Sequence, residues 1–366
     1  MTDRYTDRAE RLLILGTTPL ATQLVRELDR RRDRRRRRLL GLLSEGAPDD
    51  SVSALCLGPI SLLETVVEQR RPHRIVVALA ERRGSTPISA LLDCFVQRGV
   101  IVEDASEFYE RLTGKLAIES LTPMSLVSSR LFPTRAQEWF ARANSLLAAL
   151  LCLAALSPLF LILAVAIKLD SPGPVLFRQK RVGARGRPFT LLKYRTMQNG
   201  GGKSEWEADN HHRVTRVGRL LRRFRLDELP QFINILRGEM NLVGPRPHPV
   251  SNLELFTLVG RNLNQLTGAA IGCYALRLLV RPGMTGWAQV RYRYANNLDE
   301  EIEKLRYDLY YIKHRSVWLD LRILALTLKV VVFRPRPTGH RETQAGTAGQ
   351  TASARAVTHD ASRLTT

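Results

Sequence analysis

Apolar residues in the first third of the chain come in short blocks set between amphipathic stretches. Arg11–Leu15, Leu39–Leu43, Ile75–Leu79 and Val100–Val102 are apolar runs of strand length. Thr18–Arg30 has helical spacing, with Leu20, Leu24, Val25 and Leu28 on one face, and Ser89–Arg98 is helical too. Strands that alternate with helices predict a doubly wound α/β arrangement, a Rossmann-like soluble domain over residues 1–120. Its first turn, Gly16–Ala21, half-matches a dinucleotide-binding pattern, but Thr18 stands where a middle glycine would let a pyrophosphate approach. One use of such a domain is a nicotinamide-dependent oxidoreductase, against which Thr18 argues. The other is a regulatory or scaffolding role, which the residues favour.

The pattern changes after a linker at 121–142. Ala143–Ile167 contains no charged residue. As one straight helix its 25 residues would span ~37 Å, more than a ~30 Å hydrocarbon core needs. Ser157 and Pro158 interrupt the run, and proline removes a backbone donor and clashes with the preceding turn. The two arms would be about 21 Å and about 13 Å long, so neither crosses alone. Both flanks are basic, with Arg130, Arg135 and Arg142 before the run and Lys168, Arg178, Lys180 and Arg181 after it. Positive charge favours the cytoplasmic side. These features predict a re-entrant membrane helix over 143–169 that breaks at Ser157-Pro158 and returns. A kinked spanning helix is the alternative. Ser316–Phe333 is a second apolar helix, but Asp320, Arg322 and Lys329 interrupt it, which suits a helix lying in the interface. Residues 334–366, rich in Pro, Thr, Ala and Gly, are expected to be disordered.

Charge adds to this picture. Lys and Arg outnumber Asp and Glu by 56 to 35, a formal charge of +21, which points to polyanionic surroundings. Arg30–Arg38 holds eight arginines and one aspartate. That run is either a solvated helix end or a contact with anionic lipid, where each charge adds about 1 kcal/mol. A nucleic-acid partner is not expected, because no interleaved aromatics or recognition motif accompany the charge. A non-catalytic basic membrane-binding protein remains an alternative. The four cysteines are far apart with no CxxC pair, which argues against a zinc site or disulfide framework and fits a reducing compartment. The first residues, with acidic side chains and no apolar core before Leu12, do not read as a signal peptide.

Candidate chemistry is concentrated between residues 170 and 333. Phe177–Gly183 and Pro188–Met197 are a glycine turn and a strand ending in Lys193-Tyr-Arg195. Gln198–Asn210 is a polar, glycine-rich loop, and Thr215–Arg225 a basic helix. Asp227 and Glu228 then precede a short helix whose apolar face is Leu229, Phe232, Ile233 and Leu236, with Pro230 tolerated in its first turn. A carboxylate can form an acyl phosphate reactive enough for a second weak acceptor. At a helix start Asp227 would stay ionised, and free backbone N–H groups would favour phosphate. The competing use of an Asp-Glu pair is helix capping. Arg246, clamped between Pro245 and Pro247, can grip phosphate oxygens in a fork. Lys193, Arg195 and Arg225 are candidates for diphosphate or lipid-phosphate contact, or are snorkelling surface cations. His211, His212 and His248 show no metal-ligand spacing and are expected to be solvated.

Arg225–Pro247 (RLDELPQFINILRGEMNLVGPRP), Leu278–Val290 (LLVRPGMTGWAQV) and Leu305–Ile312 (LRYDLYYI) follow the two motifs above in order. Together they closely resemble the bacterial sugar transferases, the monotopic phosphoglycosyl transferases that move a sugar phosphate onto polyprenyl phosphate. The resemblance runs from about Asn144 to Phe333. Phe108–Gly114 and Glu119–Leu121 resemble the soluble domain of longer exopolysaccharide members, whose initial spanning helices are not seen in residues 1–10. The resemblance implies a small, mainly helical α/β catalytic domain with interfacial helices over 170–333. It implies that Asp227 is the nucleophile, that Glu228 helps bind Mg²⁺, and that Arg246 lies at the nucleotide-sugar site. It further implies a UDP-sugar donor, release of UMP, undecaprenyl phosphate as acceptor, and priming of an exopolysaccharide for downstream glycosyltransferases. The implied location is the cytoplasmic face of the bacterial inner membrane.

Overall fold

The structure is a computed structural model that describes residues 9–30, 37–46, 53–79, 87–118, 121, 131–198, 213–250, 273–292 and 298–333. Its N-terminal part alternates β1 (Glu10–Leu15), α1 (Pro19–Arg30), β2 (Arg37–Ser44), β3 (Cys56–Pro59), α2 (Leu63–Arg70), β4 (Arg74–Val77), α3 (Ile88–Arg98), β5 (Ile101–Asp104) and α4 (Ala105–Thr113). All five strands are parallel, in the order β3-β2-β1-β4-β5. Successive side chains of β1 point to opposite faces. Leu12 and Ile14 pack with Leu20, Leu24 and Phe108 under α1 and α4, whereas Leu13 and Leu15 pack with Leu63, Val67 and Leu91 under α2 and α3. Both faces are covered, which is why the strands read as continuous apolar runs.

The β1–α1 turn is closed on itself. Thr18 Oγ1 donates to Ala78 O at 2.9 Å. Gly16 has φ +106°, and a Cβ there would fall 2.2 Å from the same carbonyl. The side chain of Thr18 thus fills the turn that a dinucleotide site leaves open, which disfavours the oxidoreductase reading.

α5 (Arg135–Ala155) and α6 (Ser157–Asp170) follow. The break falls at Leu156, with Pro158 in the first turn of α6. α5 starts at Arg135, ahead of the charge-free run, because Thr134 and Gln137 form a reciprocal capping box. By length and composition α5 could cross a membrane. Yet both arms pack on one core. Ala149 of α5 joins Leu163 and Ile167 of α6 in a cluster with Tyr194, Leu221, Phe232 and Ile235. Leu150, Leu151, Leu161, Ile162 and Val165, on the two arms, are each more than half exposed.

The remaining elements are a hairpin of β6 (Leu176–Val182) and β7 (Pro188–Tyr194), α7 (Arg216–Arg223), α8 (Gln231–Leu236) and β8 (Asn241–Val243). Then come β9 (Gly283–Thr285), parallel to β8, with α9 (Trp287–Arg291), α10 (Leu298–Lys313) and α11 (Val317–Phe333). Residues 199–210 of the polar loop, His211, His212 and the tail from 334 lie outside the described residues. Described residues on either side of residue 120 reach into the second core. Leu116, Ile118 and Leu131 are buried with Val243, Trp287 and Leu309. Trp287 Nε1 donates to Gly114 O at 2.8 Å, and Glu110 accepts from Lys313 Nζ at 2.8 Å.

Candidate active site

The site is built where α7 runs out. Arg225 adopts φ 53°, ψ 24°, a left-handed conformation, and turns the chain into a short 3₁₀ turn, Leu226–Glu228. α8 follows and is stitched to β7 by Asn234, a fully buried side chain. Asn234 Oδ1 accepts from Leu192 N at 3.0 Å, and its Nδ2 donates to Thr190 O at 2.7 Å. Those bonds set the carboxylate turn against the next residue of β7, Lys193. Arg142 of α5 caps the other end of α8, donating to Ile235 O at 2.6 Å and Leu236 O at 3.2 Å.

The prolines around Arg246 are held by two close backbone approaches. Gly244 N donates to Thr285 O and Gly283 N to Pro245 O, both at 2.9 Å. A Cβ on Gly283 would lie 2.0 Å from Gly244 N, so only glycine lets these segments touch.

Glu228 is the electrostatic centre, with 7 % of its surface exposed. Lys193 Nζ donates to Glu228 Oε1 at 3.3 Å and Arg246 Nη1 to the same oxygen at 3.4 Å, while Arg225 Nη1 lies 3.9 Å from Oε2. Burial pushes the Glu228 carboxyl up, but Lys193, Arg246 and Arg225 outweigh it and hold it at about 2. Burial lowers the Lys193 ammonium, with Glu228 opposing and Arg246 adding to the fall. At Asp227 burial raises the carboxyl, Lys193 pulls it down and Glu228 pushes it up, and the balance is upward. Asp227 lies in a 3₁₀ turn that leads into the six-residue α8, with Lys193, Arg222 and Arg246 near enough to favour its charge.

A small cleft opens beside these groups, lined among others by Arg181, Lys193, Gln231, Arg246, Pro247, Met284 and Gln289. Lys193, Arg225, Asp227, Glu228, Pro245, Arg246 and Pro247 therefore come together. Arg195 does not join them. It is buried, and its guanidinium donates to Ile167 O at 3.1 Å, Ser171 O at 2.6 Å and Pro172 O at 3.1 Å. Arg195 thus caps the C-terminal end of α6, where orphan carbonyls need donors.

His248 is also not the solvated histidine expected. It is 9 % exposed. Arg277 Nη1 lies 2.9 Å from its Nε2, and Tyr274 Oη 2.8 Å from its Nδ1. Arginine can only donate, so Nε2 accepts and the neutral ring keeps its proton on Nδ1, facing Tyr274. Burial, with Arg277 beside it, holds the ring well below its ordinary value. Arg277 also donates to Arg246 O at 3.1 Å and pairs with buried Asp308 at 2.7 Å. This network backs the Arg246 segment from behind. Arg277 and Arg181, which donates to Pro247 O at 3.1 Å, were not singled out as site residues, because their partners lie 31 and 66 residues away.

Comparison with known proteins agrees with this geometry. A family model described as bacterial sugar transferase matches residues 136–334, more than half of the chain. A UDP-N-acetylgalactosamine-undecaprenyl-phosphate N-acetylgalactosaminephosphotransferase of Aeromonas hydrophila is 40 % identical over 61 % of this chain and 50 % of its own length. An undecaprenyl-phosphate glucose phosphotransferase of Komagataeibacter xylinus is 33 % identical over 89 % of this chain and 59 % of its own. A UDP-glucose:undecaprenyl-phosphate glucose-1-phosphate transferase of Escherichia coli K12 is 45 % identical over 51 % of this chain and 39 % of its own. The chain spans about half the length of these relatives. The matched region holds the break between α5 and α6, the carboxylate turn, the proline-clamped arginine and the glycine contact that fixes it, and on that agreement the chain belongs to the bacterial sugar transferase family.

Proposed function

We propose that this protein transfers a sugar 1-phosphate from a UDP-sugar to a polyprenyl phosphate through a covalent phosphosugar on Asp227. The observation that carries the reading is the charge arrangement: two adjacent carboxylates, one held ionised by three cations, at the edge of a cleft lined by further arginine. A phosphoanhydride resists attack because its oxygens are negative, and Lys193, Arg246 and Arg225 can neutralise them.

In the first step an Asp227 oxygen attacks the sugar-side phosphorus. The bond to the bridging oxygen breaks, and its electron pair leaves on UMP. In the second step an oxygen of polyprenyl phosphate attacks the same phosphorus, and the Asp227 carboxylate departs. One anhydride replaces another, so no ATP is consumed. The upward balance at Asp227 makes its carboxylate more basic than a solvated one, which favours attack.

Among the described residues no group of three or more metal-ligating side chains gathers. Mg²⁺ commonly takes one or two carboxylates plus substrate phosphates and water. Glu228, ionised beside Asp227, fits that donor set once a diphosphate is bound, and the ion would add positive charge at the phosphoryl oxygens. Lys193 and Arg246, now on Glu228 Oε1, can turn to the diphosphate.

The exposed apolar side chains of α5 and α6 supply a surface for lipid, and both arms rest on the same core. This supports a re-entrant hairpin over a spanning helix, with the site at the cytoplasmic face of the bacterial inner membrane. Trp318, Leu321 and Leu328 of α11 add exposed apolar area that suits the interface. The product, a polyprenyl-diphosphate sugar, would prime exopolysaccharide synthesis for downstream glycosyltransferases.

The test is UMP release by protein in nanodiscs containing undecaprenyl phosphate and Mg²⁺, across a panel of UDP-sugars headed by UDP-glucose and UDP-N-acetylgalactosamine. Release with at least one donor is expected. No release from any donor, with lipid binding that fades steeply as salt rises, would favour a non-catalytic basic membrane protein.

A further inference from the structure

We infer that the N-terminal domain positions Arg246 through α10, and that Glu110 is the positioning residue at its end of the link; the donor readout below rests on the UDP-sugar reading above. α10 lies between the N-terminal domain and the Arg246 segment, and helix spacing divides its side chains between the two. On one side, Glu303 pairs with Lys115, and Lys313 Nζ donates to Glu110 Oε1 at 2.8 Å. Tyr310 stacks on Trp287 with ring centres 6.0 Å apart, and that indole donates to Gly114 O. His314, just beyond the helix, places Nε2 2.8 Å from Glu110 Oε2. On the other side, Asp308 pairs with Arg277 at 2.7 Å, and Arg277 donates to Arg246 O. Tyr311 sits in the same buried cluster as Val243, which ends β8 just before the proline clamp.

Glu110 stands out in its own domain. α4 buries Phe108, Tyr109 and Leu112 against the parallel sheet, and apolar contact is enough to seat it. A carboxylate at 3 % exposure is costly unless paired. Both side-chain bonds of Glu110 cross to the C-terminal end of α10, where cations also suit the helix dipole. Lys313 and His314 are 23 % and 42 % exposed, so removing Glu110 strands no buried cation.

The link is short. Lys313 lies about 7 Å along the helix axis from Asp308. A helix packed on both sides passes a displacement on rather than absorbing it. From Asp308 one ion pair and one hydrogen bond reach the Arg246 carbonyl.

The experiment uses the full chain in nanodiscs, with Glu110→Ala, Lys313→Met, Arg277→Lys and the double variant Glu110→Ala/Arg277→Lys. UMP release gives kcat and the KM values for UDP-sugar and undecaprenyl phosphate. Hydrogen exchange with mass spectrometry reads the backbone over 241–247. Glu110→Ala and Lys313→Met should each raise the donor KM roughly three- to tenfold, with kcat and acceptor KM within about twofold of wild type. Exchange over 241–247 should quicken, while that of α8 stays as in wild type. Lysine at 277 cannot hold Asp308 and the Arg246 carbonyl together as the guanidinium fork does. In that background Glu110→Ala should therefore add little to the donor KM. Wild-type donor KM and exchange in both Glu110→Ala and Lys313→Met would overturn the inference. So would a full additional rise in the Arg277→Lys background, or a uniform loss in kcat and both KM values, which would leave Glu110 with a role in stability alone. If wild type releases no UMP from any UDP-sugar, the donor reading fails, and the exchange measurement by itself decides whether Glu110 governs the Arg246 segment.

Discussion

Replacing Glu228 by glutamine keeps the shape of the side chain and removes its charge from among Lys193, Arg246 and Arg225. The ordinary value of the Glu228 carboxyl is 4.5, and in the folded protein it is about 2. A fall of that size corresponds to roughly 3 kcal/mol of preference for the ionised form. Because the folded value is depressed, this stabilisation is full above 4.5 and is lost as pH falls from 4.5 toward 2. Glutamine mimics the protonated acid. At neutral pH Glu228→Gln should therefore unfold more easily by roughly 3 kcal/mol, and by more if the freed cations repel one another. The gap should narrow as pH drops from about 5 to about 3. Denaturant titration of detergent-solubilised protein at a series of pH values, followed by circular dichroism, measures it. A variant whose stability runs parallel to wild type across that range would refute the electrostatic assignment.

Three other outcomes follow from the geometry. Arg195→Ala leaves the last carbonyls of α6 without a donor and should cost on the order of 1–3 kcal/mol in stability while the KM for donor stays near wild type; a selective rise in that KM would return Arg195 to the binding site. Arg277→Ala strands the buried Asp308 carboxylate and frees the Arg246 segment, so stability should fall by roughly 3–5 kcal/mol and donor affinity with it; if donor affinity holds in Arg277→Lys as well as Arg277→Ala, the network does not position Arg246. Single cysteines near residues 135 and 185, labelled in intact vesicles, should show the same sidedness, and opposite accessibility would rule out the hairpin.

The parts of this site that could be read in the sequence are the local ones. Asp227, Glu228 and the Pro245-Arg246-Pro247 clamp sit in one short stretch, and the fold brings Arg246 onto Glu228. The strands of the N-terminal sheet were legible because burial on both faces makes them apolar throughout. The start of α5 was legible as well, since Thr134 and Gln137 have capping-box spacing, but the absence of charge from 143 onward drew attention away from it. Arg195 was misplaced because a lysine and an arginine two apart look alike in sequence. Only the fold shows that the carbonyls at the end of α6, from Ile167 to Pro172, reach Arg195 first. His248 and Arg277 depend on the chain returning across 29 residues, and nothing local signals that contact. β3 was missed because it is a four-residue edge strand containing Gly58 and ending in Pro59, residues that weaken a strand reading.

The central claim is that Asp227 carries the sugar phosphate. Protein incubated with a UDP-sugar and Mg²⁺, without polyprenyl phosphate, can be quenched, digested and analysed by mass spectrometry. The peptide containing Asp227 should gain one sugar phosphate, lose it when polyprenyl phosphate is added, and stay unmodified in Asp227→Asn. UMP release retained in Asp227→Asn, or an adduct on another residue, would contradict the account.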